Sequence, residues 1–337
     1  MGKDGDGLRV IALLGQRRHS RLDNAQTIML ANALAGKDGI VYQKNIYFNI
    51  LINLPSWLLF FIPVWLLIKH NDGFRDIEYC DIIVTCGKNM IRYAKHLKKN
   101  SYPDAKLIQI GNPRYTWKCI DALLRPHHGR SVIPCKNTIR YRGHFCEPLD
   151  KKVAEEMDKK YKKIRETWDS EFIGVFVGRD TTQYKMTPTI AKKFAITINT
   201  ISHNMKMPLL ISVDQGVSKS AIDMIKKHLD CNYYLYVKAV NPNESPKVAF
   251  MDWSKFYIIT GNSIVDQSEL MSQSKPVYIY YDGKHSYKYK LFYNDVISDG
   301  CARPLTTNLD KLDDFKPVPL NDMDNLVLKI KTMCGLI

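Results

Sequence analysis

A strand that ends in glycine and runs into a helix recurs along this 337-residue chain, and that recurrence restricts the fold more than any single motif. Arg9–Leu14 reads as a strand ending in Gly15. Beyond GQRRHSRLDNAQ comes a helix over Asn24–Ala35, closed by Gly36, with Ile28, Leu30, Ala31 and Leu34 at helical spacing. Tyr79–Thr85 is a second buried strand, followed by Gly87 and a basic helix over Asn89–Lys99. Lys106–Ile110 and the short Ala122–Leu124 add two more strands. The second half repeats the rhythm: strand Phe172–Val177, helix Pro188–Met205, strand Pro208–Ile211, helix Ser220–Leu229 and strand Tyr233–Val237. Phe256–Thr260, a helix over Asp266–Ser272 and strand Pro276–Tyr280 follow. Such alternation specifies parallel sheets covered by helices on both faces.

The chain is long enough for two domains with separate cores. The expected class is α/β, with two doubly wound Rossmann-like domains facing across a cleft. Residues 1–148 form the first and 169–319 the second. A charged linking helix lies over 149–168, where Val153, Met157, Tyr161 and Ile164 share a face, and a last helix lies within 320–337.

One stretch departs from the pattern. Ile46–Ile68, IYFNILINLPSWLLFFIPVWLLI, has about the 20-residue length that crosses a bilayer core. Pro55 and Pro63 each remove a helical hydrogen bond, and Asn49, Asn53 and Ser56 interrupt the apolar run. A face resting on a membrane surface through Trp57, Phe60, Phe61 and Trp65 fits that pattern better than a span. Short core helices, or a loop covered by a partner, are the alternatives. The net charge is +15, with 22 basic against 12 acidic residues in 1–150. Such an excess beside an apolar segment suits an anionic membrane, at about 1 kcal/mol per nearby base. It also suits phosphate-bearing substrates. Nucleic acid is disfavoured as a partner, because no zinc-finger spacing, RNP-like motif or basic reading helix is present. The eight cysteines form no CxxC and read as reduced, buried thiols. MGKDGDGLRV lacks a signal-peptide core, and Asp6 stands where myristoylation needs Ser or Thr.

In open parallel sheets, ligands settle beyond the carboxyl ends of the strands. Four loops meet that description: Gly15 with Arg17, Asn24 and Gln26; Gly178 with Arg179; the loop from Ser212; and Gly261–Asn262–Ser263. At the last of these, backbone approach at Gly261 and the Ser263 hydroxyl suit phosphate, while Glu269 suits ribose hydroxyls. Arg125 could hold a phosphate, and Asp23, His127 and His128 are candidate acid–base groups. Neither GxGxxG nor GxxxxGK[ST] occurs at a suitable place, so no dinucleotide cofactor is expected. No metal is expected either.

ITGNSIVDQSELMSQSKPVYIY, residues 259–280, resembles the strand, T-x-[DN]-S turn, S-E helix and G-K-P-V strand of the mitochondrial fission ELM1-like family of GT-B-type glycosyltransferases. Asn262, Ser263, Ser268, Glu269, Lys275 and Pro276 take the family positions, with Ser274 in place of a glycine. Asn241–Pro242, GQRRHSRLDNAQ and IQIGNPRYTWKCIDALLRPHHGR resemble further family stretches; the last would carry over Pro113, Arg114, Asp121, Pro126 and a histidine. At 212–217, SVDQGV replaces a serine followed by arginines, threonine and proline.

The resemblance implies a metal-independent enzyme whose second domain holds a nucleotide-sugar or nucleoside diphosphate. The donor residues would be Gly178, Arg179, Ser212, Gly261, Asn262, Ser263, Ser268 and Glu269. An unidentified acceptor, lipid-linked as one option, would meet the first domain, on the cytoplasmic face of a membrane. A non-catalytic membrane adaptor that binds a protein partner is the alternative; a basic nucleic-acid-binding protein is a more distant one.

Overall fold

The structure is a computed structural model. It describes residues 7–16, 21–59, 61–113, 117–129, 136–146, 148–181, 184–241, 245–281, 286–320 and 323–337, apart from the side chains of Ser56, Trp57 and Trp117. The chain divides into two compact units: 1–141 with 321–337, and 142–320.

Unit 1 contains β1 (Arg9–Gly15), α1 (Arg21–Ala35), β2 (Ile40–Phe48), α2 (Ser56–Leu59), β3 (Ile68–Asn71), β4 (Ile82–Cys86) and α3 (Met90–Asn100). It continues through β5 (Lys106–Ile110), β6 (Ala122–Pro126) and β7 (Thr138–Tyr141). Its strands lie in the order β3-β2-β1-β4-β5-β6-β7, all parallel except β3, which runs antiparallel to β2. Chain connection reverses direction between β1 and β4. One face buries Ile11, Leu13, Ile83 and Leu107 against Ile91, Ala94 and Leu97 of α3. The other meets α1, whose Leu30, Ala31 and Leu34 are fully buried.

Unit 2 contains α4 (Lys151–Arg165), β8 (Phe172–Val177), α5 (Pro188–Met205), β9 (Leu209–Val213), α6 (Lys219–Lys227) and β10 (Tyr233–Val237). Next come α7 (Lys247–Trp253), β11 (Ser254–Thr260), α8 (Ile264–Met271), β12 (Val277–Tyr280), α9 (Tyr287–Ser298) and β13 (Arg303–Leu305). The last helix, α10 (Met323–Cys334), returns to unit 1 and packs against α1. Unit 2 carries an all-parallel sheet ordered β10-β9-β8-β11-β12-β13. Alternation in β8 explains its two cores. Ile173, Val175 and Val177 pack with Phe194, Ile198 and Ile225 on one side, and Phe172 and Phe176 pack with Tyr257, Leu270 and Phe292 on the other. Full burial of each such side chain contributes about 1.5–3 kcal/mol. The two Rossmann-like sheets give the GT-B-like class read from the sequence.

Several elements were not legible. β2 (IVYQKNIYF) carries Gln43, Lys44 and Asn45, and it is tolerated because only the short β3 lies outside it. Ile46–Ile68, expected as one apolar feature, is divided. Its first residues end β2, then two 3-10 turns (Ile50–Asn53 and Val64–Leu67) flank α2 before β3 begins. Among the described residues, no helix is long and apolar enough to cross a membrane.

Ser274, the position where the resemblance expects glycine, has φ +56°. A side chain in the left-handed region costs about 1–2 kcal/mol, while glycine loses about 0.5–1 kcal/mol through its freer unfolded chain. Ser274→Gly is therefore expected to raise stability by about 0.5–1 kcal/mol. A higher urea midpoint at unchanged slope would show this; a lower midpoint would contradict it.

Candidate functional site

In unit 2, connection reverses direction between β8 and β11, so the loops leaving these two strands part from one another at their carboxyl ends. A buried amide ties the loops together. The Gly178 N–H donates to Thr260 Oγ1 (2.9 Å), whose hydroxyl donates to Asn262 Oδ1 (2.6 Å). Asn262 Nδ2 donates to the carbonyls of Gly178 (2.7 Å) and Arg179 (2.6 Å). A Cβ on Gly178 would stand 2.7 Å from Asn262 Oδ1. Glycine is needed there for close approach.

Beside this tie, Gly178, Ser212, Asp214, Lys238, Lys247 and Asp266 line a small pocket of about 60 Å³. Such a space accepts a few waters or one ribose- or phosphate-sized fragment. The centre of its charge is Lys247, on the first turn of α7. Its Nζ donates to Asp266 Oδ1 (2.9 Å) and Glu269 Oε2 (2.6 Å), carboxylates one turn apart on α8. Burial alone would lower the lysine pKa, but the two carboxylate charges outweigh it and hold the ammonium above its ordinary range. Burial would likewise raise Asp266, yet Lys247 and a hydrogen bond with Ser263 bring it below its ordinary value. A second charge cluster joins Asp214 to Lys238 (3.2 Å) and, more loosely, to Arg179 Nε (3.7 Å).

The expected donor residues separate into two groups. Gly178 and Ser212 line the pocket, and Glu269 reaches its wall through Lys247. Arg179 is largely exposed beside Asp214. Ser263 caps α8 by accepting from the Asp266 N–H (3.2 Å), and the Gly261 N–H is spent on the Tyr280 carbonyl (2.9 Å). Asn262 and Ser268, expected to touch a donor, are buried and engaged within the protein instead. Ser268 donates to the Ile264 carbonyl (2.7 Å) and accepts from the His144 N–H (3.0 Å). It fastens residues 143–145 to α8.

Unit 1 places its candidates at its own reversal point, between β1 and β4. Asn24, expected to bind phosphate, clamps Gly15 instead: Oδ1 accepts from its N–H (2.9 Å) and Nδ2 donates to its carbonyl (3.0 Å). Arg17 lies outside the described residues. Asp23 is half-buried and accepts from the Cys86 thiol; burial raises its pKa, and the thiol only partly offsets this. Burial and the Asp23 charge push Cys86 well above its usual range. Gln26 is buried one turn on, its Oε1 without a partner among the described residues. Arg125 and His128 are buried, whereas His127 is exposed. Adjacent histidines thus face different surroundings.

The family described as Mitochondrial fission ELM1 matches residues 23–333. The chain belongs to the mitochondrial fission ELM1 family. An uncharacterized protein of Rickettsia prowazekii, RP120, is 25% identical over 340 residues, covering 91% of this chain and 94% of its own. The mitochondrial fission protein ELM1 of Arabidopsis thaliana is 21% identical over 272 residues, 74% of this chain but only 63% of that protein. Among solved structures, the UDP-GlcNAc 2-epimerase of Methanocaldococcus jannaschii is similar with a TM-score of 0.54 at 11% identity, over 96% of this chain and 99% of that one. That likeness concerns the fold alone.

Sequence reasoning missed Lys247, Lys238 and Asp214 in this ELM1-family chain. Asp266 was seen only as the start of a helix. Lys247 lies 19 and 22 residues from its partners, a separation with no periodic signal. The Asn262 tie generates a prediction: Asn262→Ala should cost about 2–4 kcal/mol, because it leaves buried backbone groups unpaired. Thermal and urea unfolding would measure it, and a loss below ~1 kcal/mol would contradict the assigned role.

Proposed function

We propose that the chain is a sugar transferase that takes a nucleotide-sugar donor in unit 2 and an acceptor, favoured to be lipid-linked, on unit 1. The observation that carries this reading is the pocket at the β8/β11 reversal, lined by Asp214, Asp266, Lys238 and Lys247, with Glu269 held to it through Lys247. A nucleoside diphosphate presents ribose hydroxyls, which donate, and phosphate oxygens, which accept. Asp266 and Glu269 are acceptors for the first. An ionised carboxylate has about four acceptor positions, so the Lys247 bonds leave places for ribose. Lys238 and the first turn of α8 answer the second. The UDP-GlcNAc in the name of the epimerase of similar fold supports a uridine nucleotide as the first probe.

Departure of a nucleoside diphosphate leaves negative charge on its terminal phosphate, which a preorganised cation stabilises without reorganising. Lys238 is the group for this. On unit 1, Asp23 has the chemistry of a general base: a carboxylate whose proton affinity is raised by burial works closer to neutral pH.

Calorimetric titration with UDP, GDP and ADP tests the reading. At least one is expected to bind saturably, Glu269→Gln to weaken it about tenfold through loss of a charge-assisted bond, and Lys238→Ala to weaken it by a similar factor. Absence of saturable binding by any of the three would overturn the proposal and favour a non-catalytic scaffold. A second prediction concerns pH. Because the Asp23 pKa is raised, its carboxyl regains a proton at higher pH than an ordinary aspartate, and turnover should fall as pH drops through that raised value. Asp23→Asn should abolish both the turnover and this acid limb; a variant retaining wild-type pH dependence would exclude Asp23 as the base.

A further inference from the structure

We infer that the connection between β2 and β3 is a wedge that docks unit 1 onto an anionic lipid bilayer. This goes beyond sugar transfer and stands on separate observations. Asn49 closes the base of the connection. Its N–H donates to the Leu67 carbonyl (3.0 Å), its Nδ2 donates to the Leu66 carbonyl, and its Oδ1 accepts from the Leu51 N–H (3.0 Å). Inside the loop, Ile52, Leu59 and Leu67 form a small core of their own, supported by Phe48, Leu54 and Ile62. The Arg92 guanidinium of α3 donates to the carbonyls of Leu59 and, at 2.7 Å, Ile62. The connection is therefore built and anchored.

A loop that needed only to cover the sheet would end there. This one instead presents a second apolar layer outward: Ile50 is 80% exposed, Phe61 77% and Trp65 66%, with Leu51 and Leu66 also exposed. Contiguous apolar surface on a folded unit marks an interaction site. Exposed indole and phenyl rings on an anchored connection match the interfacial layer of a bilayer, where Trp concentrates.

Charge identifies the occupant. No acidic residue lies between Asp38 and Asp72, or between Asp81 and Asp104, so both the wedge and α3 are free of negative charge. Lys69 follows the wedge directly, and Lys95 and Lys99 are exposed on the helix that anchors it. None of these three lysines has an ion-pair partner among the described residues. An anionic headgroup layer attracts each such base within a Debye length, while acyl chains take the aromatic tip. A protein partner would have to supply both an apolar groove and an acidic rim; a bilayer containing phosphatidylglycerol supplies both without further design.

The test is co-sedimentation of the full chain with sucrose-loaded vesicles, either phosphatidylcholine alone or phosphatidylcholine with about 30 mol% phosphatidylglycerol, which gives the surface a negative potential. Wild type is expected to bind the mixed vesicles at least tenfold better than the neutral ones. The double substitution Phe61→Glu, Trp65→Glu is expected to lose that binding tenfold or more, and Lys95→Glu, Lys99→Glu to lose it severalfold. These side chains are exposed, so unchanged thermal melts accompany the expected result. Equal binding by wild type and the aromatic double variant overturns the inference, as does wild type that binds neither vesicle. Dimerisation of wild type that the aromatic substitutions abolish, with no vesicle binding, also overturns it and assigns the wedge to a second copy of the chain.

Discussion

The hydrogen bonds of one buried amide hold unit 2 in a form that can have a site at all. Two parallel strands whose onward connections run in opposite directions leave a gap between their loops, and nothing in the sheet ladder closes it. Asn262 spans that gap with both ends of its side chain, tying Gly178 and Arg179 to the turn after β11. The absence of a side chain at Gly178 permits the approach. With the turn fixed, Ser263 caps α8, and α8 then points Asp266 and Glu269 along one face. The ionic arrangement follows from the packing.

Lys247 carries the next step. Two carboxylates one helical turn apart repel one another. A single ammonium between them removes that conflict, holding Asp266 in the pocket lining and Glu269 to it through Lys247. Lys275 performs a related service below, donating to the carbonyls of Met251, Asp252 and Ser254 and so ending α7 where β11 begins. Each lysine couples α7 to the strand–turn–helix unit through charge-assisted bonds, which are roughly twice as strong as neutral ones.

The parts of the fold that could be read in the sequence are those where burial on both faces leaves a continuous apolar run. Phe172–Val177 and Lys106–Ile110 begin and end where their composition says they should, and the edge strand Tyr233–Val237, only partly buried, does so through its run of aromatic strand formers. β2 and β7 could not be read, because strands toward a sheet edge keep polar residues and lose the pattern. The 259–280 stretch was legible as a motif while the work of its residues was not. Asn262 and Ser268 look like ligand groups in a sequence, since amides and hydroxyls serve both purposes, and only their buried partners reveal the structural role. Ser274 carries the opposite lesson: the expected glycine is explained by a positive φ that serine has to tolerate. The proline-broken segment after Ile46 was legible as interrupted, but its division between an inner cluster and an outward apolar layer depends on α3, which is remote in sequence.

The central claim is that the loops joined at the β8/β11 reversal receive a nucleoside diphosphate. Hydrogen–deuterium exchange of the full chain, with and without a saturating nucleoside diphosphate, addresses it most directly. Slower exchange confined to the amides of Gly178–Asp180, Ser212–Ser218 and Gly261–Glu269 is the predicted result. Unchanged exchange in those segments, or protection appearing only in unit 1, would contradict it.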